Sequence, residues 1–374
     1  MAATKRKILG LIFSDMHDAV ISDLTKERTM GSVLFGGRYR LIDFPLSGMV
    51  NSGIHEVGVI TKSNYQSLLD HLGSGREWDL ARKKGGLHLL PPFSHVASGI
   101  YRGRLEALYG VWSFIGHSDA NYVVLSDCDV IANMDYSKVV EHHISTGADI
   151  TSVYANDNLS VEQAQSSTVF GLNDEGRIVD VLLNPHISGS CNVSLNTFVL
   201  SKEFLKNIVL EAASRSLYRF ELSILQARAG DYKIMGYCHD DYFSRITSMY
   251  DYYNSNMRLL DGAERKKLFK TNSPIYTKVR DNPPAKFEEC SVKNSLIGDG
   301  SIIEGTVENC VLFRGVRVKK GAVVKDSILM QDTVIGANCD ISCVITDKNV
   351  KVSDKRMLTG SKNYPLFLGK GAEI

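Results

Sequence analysis

SLIGDGSIIEGTVENCVLFRGVRVKKGAVVKDSILMQDTVIGANCDI, residues 295–341, has a different pattern from the rest of the chain. Apolar residues recur between small or polar spacers. Ile297 and Ile303 stand one step of about six apart, and Val316, Ala322, Ile328 and Val334 continue at the same step. Gly298, Gly315, Gly321 and Gly336 mark the turns. A hexapeptide period rich in β-branched residues predicts a parallel β-helix, running from about Cys290 to Ser353. Each short strand turns a small apolar side chain inward, and stacked coils share one core; on the six-step count Ile328 is one of those inward residues. An irregular β-sandwich is the competing reading.

Upstream lies TNSPIYTKVRDNPPAK, residues 271–286, where Pro274, Pro283 and Pro284 favour extended chain. Residues 261–286 therefore read as a linker, dividing a domain at 1–260 from a second at 287–374. The first domain alternates strands and helices. HEVGVIT (55–61), NYVVLS (121–126) and the segment Asp149 to Ala155 read as buried strands; Leu105 to Gly116 and Lys138 to Thr146 read as helices. This alternation predicts an α/β domain with a mostly parallel sheet, and ligands in such domains bind at the carboxyl ends of the strands.

The first strand is KILGLIF, residues 7–13. A nucleotide-binding fold places glycines next, because a phosphate needs bare backbone N–H groups. Here the chain has Ser14, Asp15, Met16, His17 and Asp18. Two of these are acidic and repel phosphate.

Net charge over the 374 residues is +1, which gives no electrostatic footprint for nucleic acid or an anionic membrane. No apolar run approaches the roughly 20 residues that span a bilayer. The basic MAATKRK leads into a short apolar run without a small-residue cleavage site, so it reads as the approach to a strand and not as a signal peptide. The 7 cysteines are odd in number and scattered; Cys339 and Cys343 are nearest, and no CxxC pair occurs. Free thiols in a reducing cytoplasm are the expectation. His142 and His143 read as surface histidines. Tyr250, Tyr252 and Tyr253 read as core or interface packing in preference to a base-stacking platform.

FGGRYRLIDFPLSGMVNSGI, residues 35–54, closely resembles the glucose-1-phosphate adenylyltransferase family, the ADP-glucose pyrophosphorylases. The resemblance extends over nearly the whole chain: Tyr101-Arg102-Gly103, a strand ending in Asp129 with Asn133-Met134-Asp135-Tyr136 after it, and the hexapeptide tail fall in family order. It implies a Rossmann-like nucleotidyltransferase domain with a mostly parallel sheet, followed by a C-terminal left-handed parallel β-helix. It also implies tetramers, and synthesis of ADP-glucose from ATP and glucose 1-phosphate with Mg2+, for glycogen or starch.

The departures from the family pattern fall on its chemistry. The segment at residues 8–25 lacks the GGxGxRLxPLT glycines and their arginine, keeping Leu24 and Thr25. The RAKPA motif becomes Arg28-Thr29-Met30-Gly31-Ser32, so Met30 stands at the lysine that contacts the reacting phosphates. A thioether cannot stabilise phosphoryl charge. GTADA becomes Gly103-Arg104-Leu105-Glu106-Ala107, and EKP becomes Leu183-Asn184-Pro185. The first metal aspartate remains as Asp129, while the second aligns with Arg245. Two carboxylates hold the magnesium in nucleotidyl transfer. At about 4 Å and an effective dielectric near 20, one unit-charge contact is worth roughly 4 kcal/mol, so an arginine there opposes the ion strongly. With one carboxylate left, Asp129 reads equally as a residue capping the turn after its strand.

Arg28 and Arg40 match family positions associated with an anionic effector site where the two domains meet. A solvated Arg28, and an Arg40 packed against Asp43, are the structural alternatives. The expected function is a regulatory, catalytically inactive subunit with no cofactor of its own. Its partners are a catalytic glucose-1-phosphate adenylyltransferase subunit, which uses Mg2+ and ATP, and a phosphorylated effector; nucleic acid and membrane are not expected. The assembly is a hetero- or homo-oligomer, of which a heterotetramer is the family's form. Two other readings compete: an active sugar-phosphate nucleotidyltransferase with a divergent phosphate loop, and a free-standing sugar-phosphate sensor or scaffold.

Overall fold

A computed structural model describes residues 7–92 and 101–374. The first strand, Ile8–Phe13, is central in a nine-stranded sheet. It pairs in parallel with Glu56–Ile60 on one side and Tyr122–Asp127 on the other, and Gly86–Leu90 continues the parallel set beyond Glu56–Ile60. Ile8–Phe13, Glu56–Ile60 and Tyr122–Asp127 are buried on both faces, which is why they read as apolar runs without alternation; Gly86–Leu90 is an edge strand with His88 exposed. The long strand Gly189–Ser201 runs antiparallel to Tyr122–Asp127 and joins the half of the sheet made by Ile150–Leu159, Thr168–Leu172 and Ile178–Leu183. Ile234–Cys238 closes that half, parallel to Ile150–Leu159.

Several expected elements need correction. The helix expected over Leu105 to Gly116 is two short helices, Arg104–Gly110 and Trp112–His117. The linker is helical over Gly262–Leu268, with Asp261 capping Ala263 N–H, and becomes extended only before its prolines. His143 is buried: it extends the inward stripe Tyr136, Val139, Val140 of the helix Tyr136–Thr146, and its ring bonds Thr151 Oγ1 at 3.0 Å. Burial lowers its pKa to about 4, so it is a neutral core histidine. His142 is half-buried beside the Tyr237 ring.

From Lys286 onward the chain forms three parallel five-stranded sheets, the three sides of a β-helix. Its interior includes the column Ile303, Val318, Ile335 and Val352. Ile303 to Val318 is 15 residues and Val318 to Ile335 is 17, neither a multiple of six. A strict six-residue step therefore drifts off the interior. Leu329 fills the core at the place expected for Ile328, and Val334 is only half-buried beside inward Ile335. Ile328 is fully buried for another reason: with Val311 and Ile345 it presents the outer face of one side to the α/β domain. Tyr252 and Tyr253 join this shared core, their hydroxyls donating to Leu34 O and Asp326 O, each at 2.7 Å; Tyr250 is exposed. All seven cysteines are free. No helix among the described residues is long and apolar enough to cross a membrane.

Candidate functional site

The carboxyl ends of Ile8–Phe13 and Tyr122–Asp127 lie side by side, Phe13 opposite Asp127. Asp127 and Asp129 are both buried there, and the turn after the first strand brings His17 between them. His17 Nε2 lies 2.8 Å from Asp127 Oδ2 and 3.8 Å from Asp129 Oδ2. Arg104, from the start of its helix, clamps Asp127 with two parallel bonds of 2.7 and 2.8 Å, and reaches Glu221 Oε1 at 3.0 and 3.1 Å. Asn196 Nδ2 donates to Asp129 Oδ2 at 2.8 Å; Asp129 Oδ1 is buried with no partner.

The charges in this cluster are already paired within the chain. Burial alone would push the Asp127 carboxyl up, but Arg104 and His17 outweigh it and hold the group down at about 2. Burial likewise opposes charge on His17, yet Asp129 and Asp127 raise its imidazole to about 9. Asp127, Asp129 and Glu221 thus face one guanidinium and one imidazolium. Among the described residues His17, Asp127 and Asp129 are the group that brings three possible metal-ligand atoms within 4.8 Å of one another. A divalent ion would have to displace the Arg104 fork or the His17 proton, because these cations already occupy Asp127. The donor set does not fit magnesium.

The turn itself is closed to phosphate. Ser14 N–H and Oγ–H both donate to Ile60 O, and Gly31 N–H donates to Ser14 O. Asp18 Oδ1 accepts from Met30 N–H at 2.7 Å, while the Met30 side chain is buried in the core. The Tyr101 hydroxyl bonds Asp15 at 3.2 Å. Burial raises Asp15 to about 6 and Asp18 to about 7. Where a nucleotide fold needs open N–H groups, Ser14 and Met30 N–H are already engaged and Asp15 and Asp18 put carboxyl groups in the way.

Arg245 ends the strand Phe243–Arg245 opposite Val130, which places it beside Asp129 in the chain's own pairing. Its guanidinium feels the Asp129 charge without forming an ion pair with it; Nη1 bonds Ser167 Oγ at 2.7 Å and Nε is buried without a partner. Ser167 O also accepts from Asn184 N–H, so Asn184 and Arg245 share an anchor; Leu183 is half-buried at the end of its strand.

A second cluster lies where the β-helix meets the α/β domain. Arg28 and Asp347 form a buried bidentate pair, both bonds 2.8 Å. Arg28 is therefore not solvated; it joins the domains. Arg40 is buried, its backbone N–H on Asp43 and its guanidinium on Ser67 O and Oγ at 2.6 and 2.8 Å. It lines a crevice with Arg38, Lys278, Arg280 and Arg314. Burial, then the neighbouring Arg40, Arg28 and Arg280, lower the Lys348 amine to about 7. Burial also lowers Arg40, to about 10, with Arg280 and Arg28 adding to it. These cations repel one another and lack enough carboxylates.

A nucleotidyl transferase family model matches residues 21–261, and a GlmU-like C-terminal hexapeptide model matches residues 283–362. The "Glycogen biosynthesis protein GlgD" of Bacillus subtilis is 33% identical over 367 residues, covering 98% of this chain and 96% of that protein. A glucose-1-phosphate adenylyltransferase of Clostridium perfringens is 33% identical over 341 residues, covering 89% and 86%. One of Bacillus cereus is 31% identical over 369 residues, covering 96% and 97%. This chain belongs to the glucose-1-phosphate adenylyltransferase family. Its C-terminal domain is that family's left-handed β-helix.

Family order identified Asp129 and Arg245, and the backbone brings them together. It did not identify His17, Asp127 and Asn196 as their neighbours. The available signal was Asp127-Cys128-Asp129: two carboxylates at a parallel strand's carboxyl end call for counter-charges. Arg104, standing at the threonine of the family's GTADA pattern, is one of them.

Proposed function

We propose that this chain is a regulatory, non-catalytic subunit that assembles with a catalytic glucose-1-phosphate adenylyltransferase in glycogen biosynthesis, in the cytoplasm. The observation that carries this reading is the Arg104–Asp127–His17 cluster: the chain's own cations pair with the carboxylates at the place where the family's reaction needs a metal and phosphates. Met30, Leu183, Asn184 and Arg245 remove further charges from the same place. On this reading the chain takes no cofactor, and Mg2+ and ATP belong to the catalytic partner. Coupling then acts through binding that differs between two states of the partner.

The interdomain crevice supports a phosphorylated effector as the signal. Arg40 lines it directly, and Arg28 contributes by fixing Asp347 and so the adjacent Lys348. Guanidinium forks suit phosphate oxygens. Lys348 is lowered first by burial and then by Arg40, Arg28 and Arg280, so an anion bound among those cations would offset part of that lowering and binding near neutral pH takes up a proton. Sulfate, whose own charge is constant over this range, tests the sign. Lys348 is neutral at pH 8.5 and charged at pH 6.5, given its value of about 7. An added positive charge close to the crevice favours an anion there, so sulfate should bind more tightly at the lower pH. Calorimetry in two buffers of different ionisation enthalpy measures both affinity and proton uptake. Lys348→Ala should flatten the pH dependence, and Arg40→Ala should weaken binding at both pH values while leaving assembly intact. Absence of sulfate binding would remove the effector site from this account.

A further inference from the structure

A cleft of about 710 Å3, within the roughly 300–1,000 Å3 of small-molecule sites, lies apart from the Arg104–Asp127 pair and from the interdomain crevice. It lies between the end of the strand Ile150–Leu159, the segment 240–245 and the helix Met249–Arg258. Arg245 forms part of its lining.

The cleft's charges are already engaged. Arg258 and Lys267 both bind Glu264, at 2.7 and 2.6 Å. Asp241 pairs with Lys270, and Asp251 accepts from Thr247, Ser248 and Gln163. Arg245 donates to Ser167. Asp157 and Asp240 form no salt bridge among the described residues, although Asp157 acts on Arg245 through space, and they repel anions from the wall. A phosphate finds little here.

Neutral groups are left. The Tyr242 hydroxyl is unpartnered although the residue is 5% exposed. The amides of Asn158 and Asn254 offer both donors and acceptors. Tyr250 presents an exposed ring, one helical turn from Asn254 on the same helix face. Planar amides and carboxylates that pair with adjacent hydroxyls, beside an aromatic ring that covers an apolar C–H face, make the chemistry of a site for polyols.

The geometry points to an uncharged oligosaccharide as the ligand of this cleft. This holds whether or not the chain is catalytic, because none of the residues that take part belongs to the Asp127–Asp129 cluster or the interdomain crevice. The test uses the full chain with maltotetraose and cellotetraose, two neutral tetrasaccharides of different linkage, and glucose 1-phosphate as the charged control. Saturation-transfer NMR detects weak contacts, and calorimetry measures affinity. Binding of either tetrasaccharide should weaken at least tenfold in Tyr250→Ala and in Asn254→Asp. Both residues sit at or near the surface, and retained circular dichroism establishes that the variants fold. The inference is overturned if neither tetrasaccharide binds, if binding is unchanged in both variants, or if glucose 1-phosphate is the ligand these variants lose.

Discussion

Arg104→Ala should destabilise the chain by about 3–5 kcal/mol, the range for removing one partner of a buried ion pair. Arg104 and Asp127 are almost wholly buried, and their two bonds are short and parallel. Glu221 also loses its partner, although it is partly exposed and contributes less. The loss should have a pH signature. In the natural chain Asp127 sits at about 2, below its unfolded value of 3.8. Its contribution is complete above pH 3.8 and is lost only as pH falls towards 2. Without Arg104, burial still pushes the Asp127 carboxyl up while His17 alone holds it down, so its pKa should rise from about 2. The Asp127 contribution should therefore be smaller and should change at a higher pH than in the natural chain, whose Asp127 term is flat between pH 7 and pH 5. Urea unfolding at those two pH values measures the difference. Arg104→Lys keeps the charge but not the fork, and should fall between the two.

Arg28→Ala and Asp347→Ala should each cost a comparable amount, about 3–5 kcal/mol, by leaving a buried charge alone at the domain interface. The double variant Arg28→Met, Asp347→Leu should lie much nearer the natural chain, because two apolar groups leave no uncompensated charge. A double-mutant cycle in denaturant yields the coupling. Residues 28 and 347 belong to different domains that share one apolar core through Ile328, Met330 and Phe313. The single variants should therefore also separate the unfolding of the two domains, visible as loss of a single cooperative transition. Equal and additive effects of the two single substitutions would mean that the pair contributes nothing as a pair.

Three strands of the parallel half, Ile8–Phe13, Glu56–Ile60 and Tyr122–Asp127, were legible because they are buried on both faces and read as unbroken apolar runs; the edge strand Gly86–Leu90, with its exposed His88, was not. The β-helix was legible from its period, but the facing of single residues was not: coils of 15 and 17 residues shift the register, so buried Ile328 packs against the other domain and Leu329 takes the interior. His143 looked like a surface residue because it is polar, although its helix stripe runs Tyr136, Val139, Val140, His143 and a single hydroxyl on Thr151 satisfies it. The family resemblance carried the positions of Asp129, Arg245, Arg28 and Arg40. The groups that give them meaning lie far off in sequence. His17 meets Asp127 across 110 residues and Arg28 meets Asp347 across 319. Such pairings are set by strand order and domain docking, which a local pattern does not encode.

The central claim is that this chain modulates a catalytic partner and does not itself catalyse. Pyrophosphate release from ATP and glucose 1-phosphate with Mg2+ tests it directly, measured for the chain alone, for an intact catalytic glucose-1-phosphate adenylyltransferase subunit alone, and for the co-purified mixture. The account predicts no turnover from the isolated chain. In the mixture it predicts a stable hetero-oligomer with raised activity or substrate affinity, about 5- to 150-fold for a coupling of roughly 1–3 kcal/mol. Turnover by the isolated chain in the ordinary enzyme range of roughly 1–1,000 per second, or failure of the two chains to associate, would contradict it.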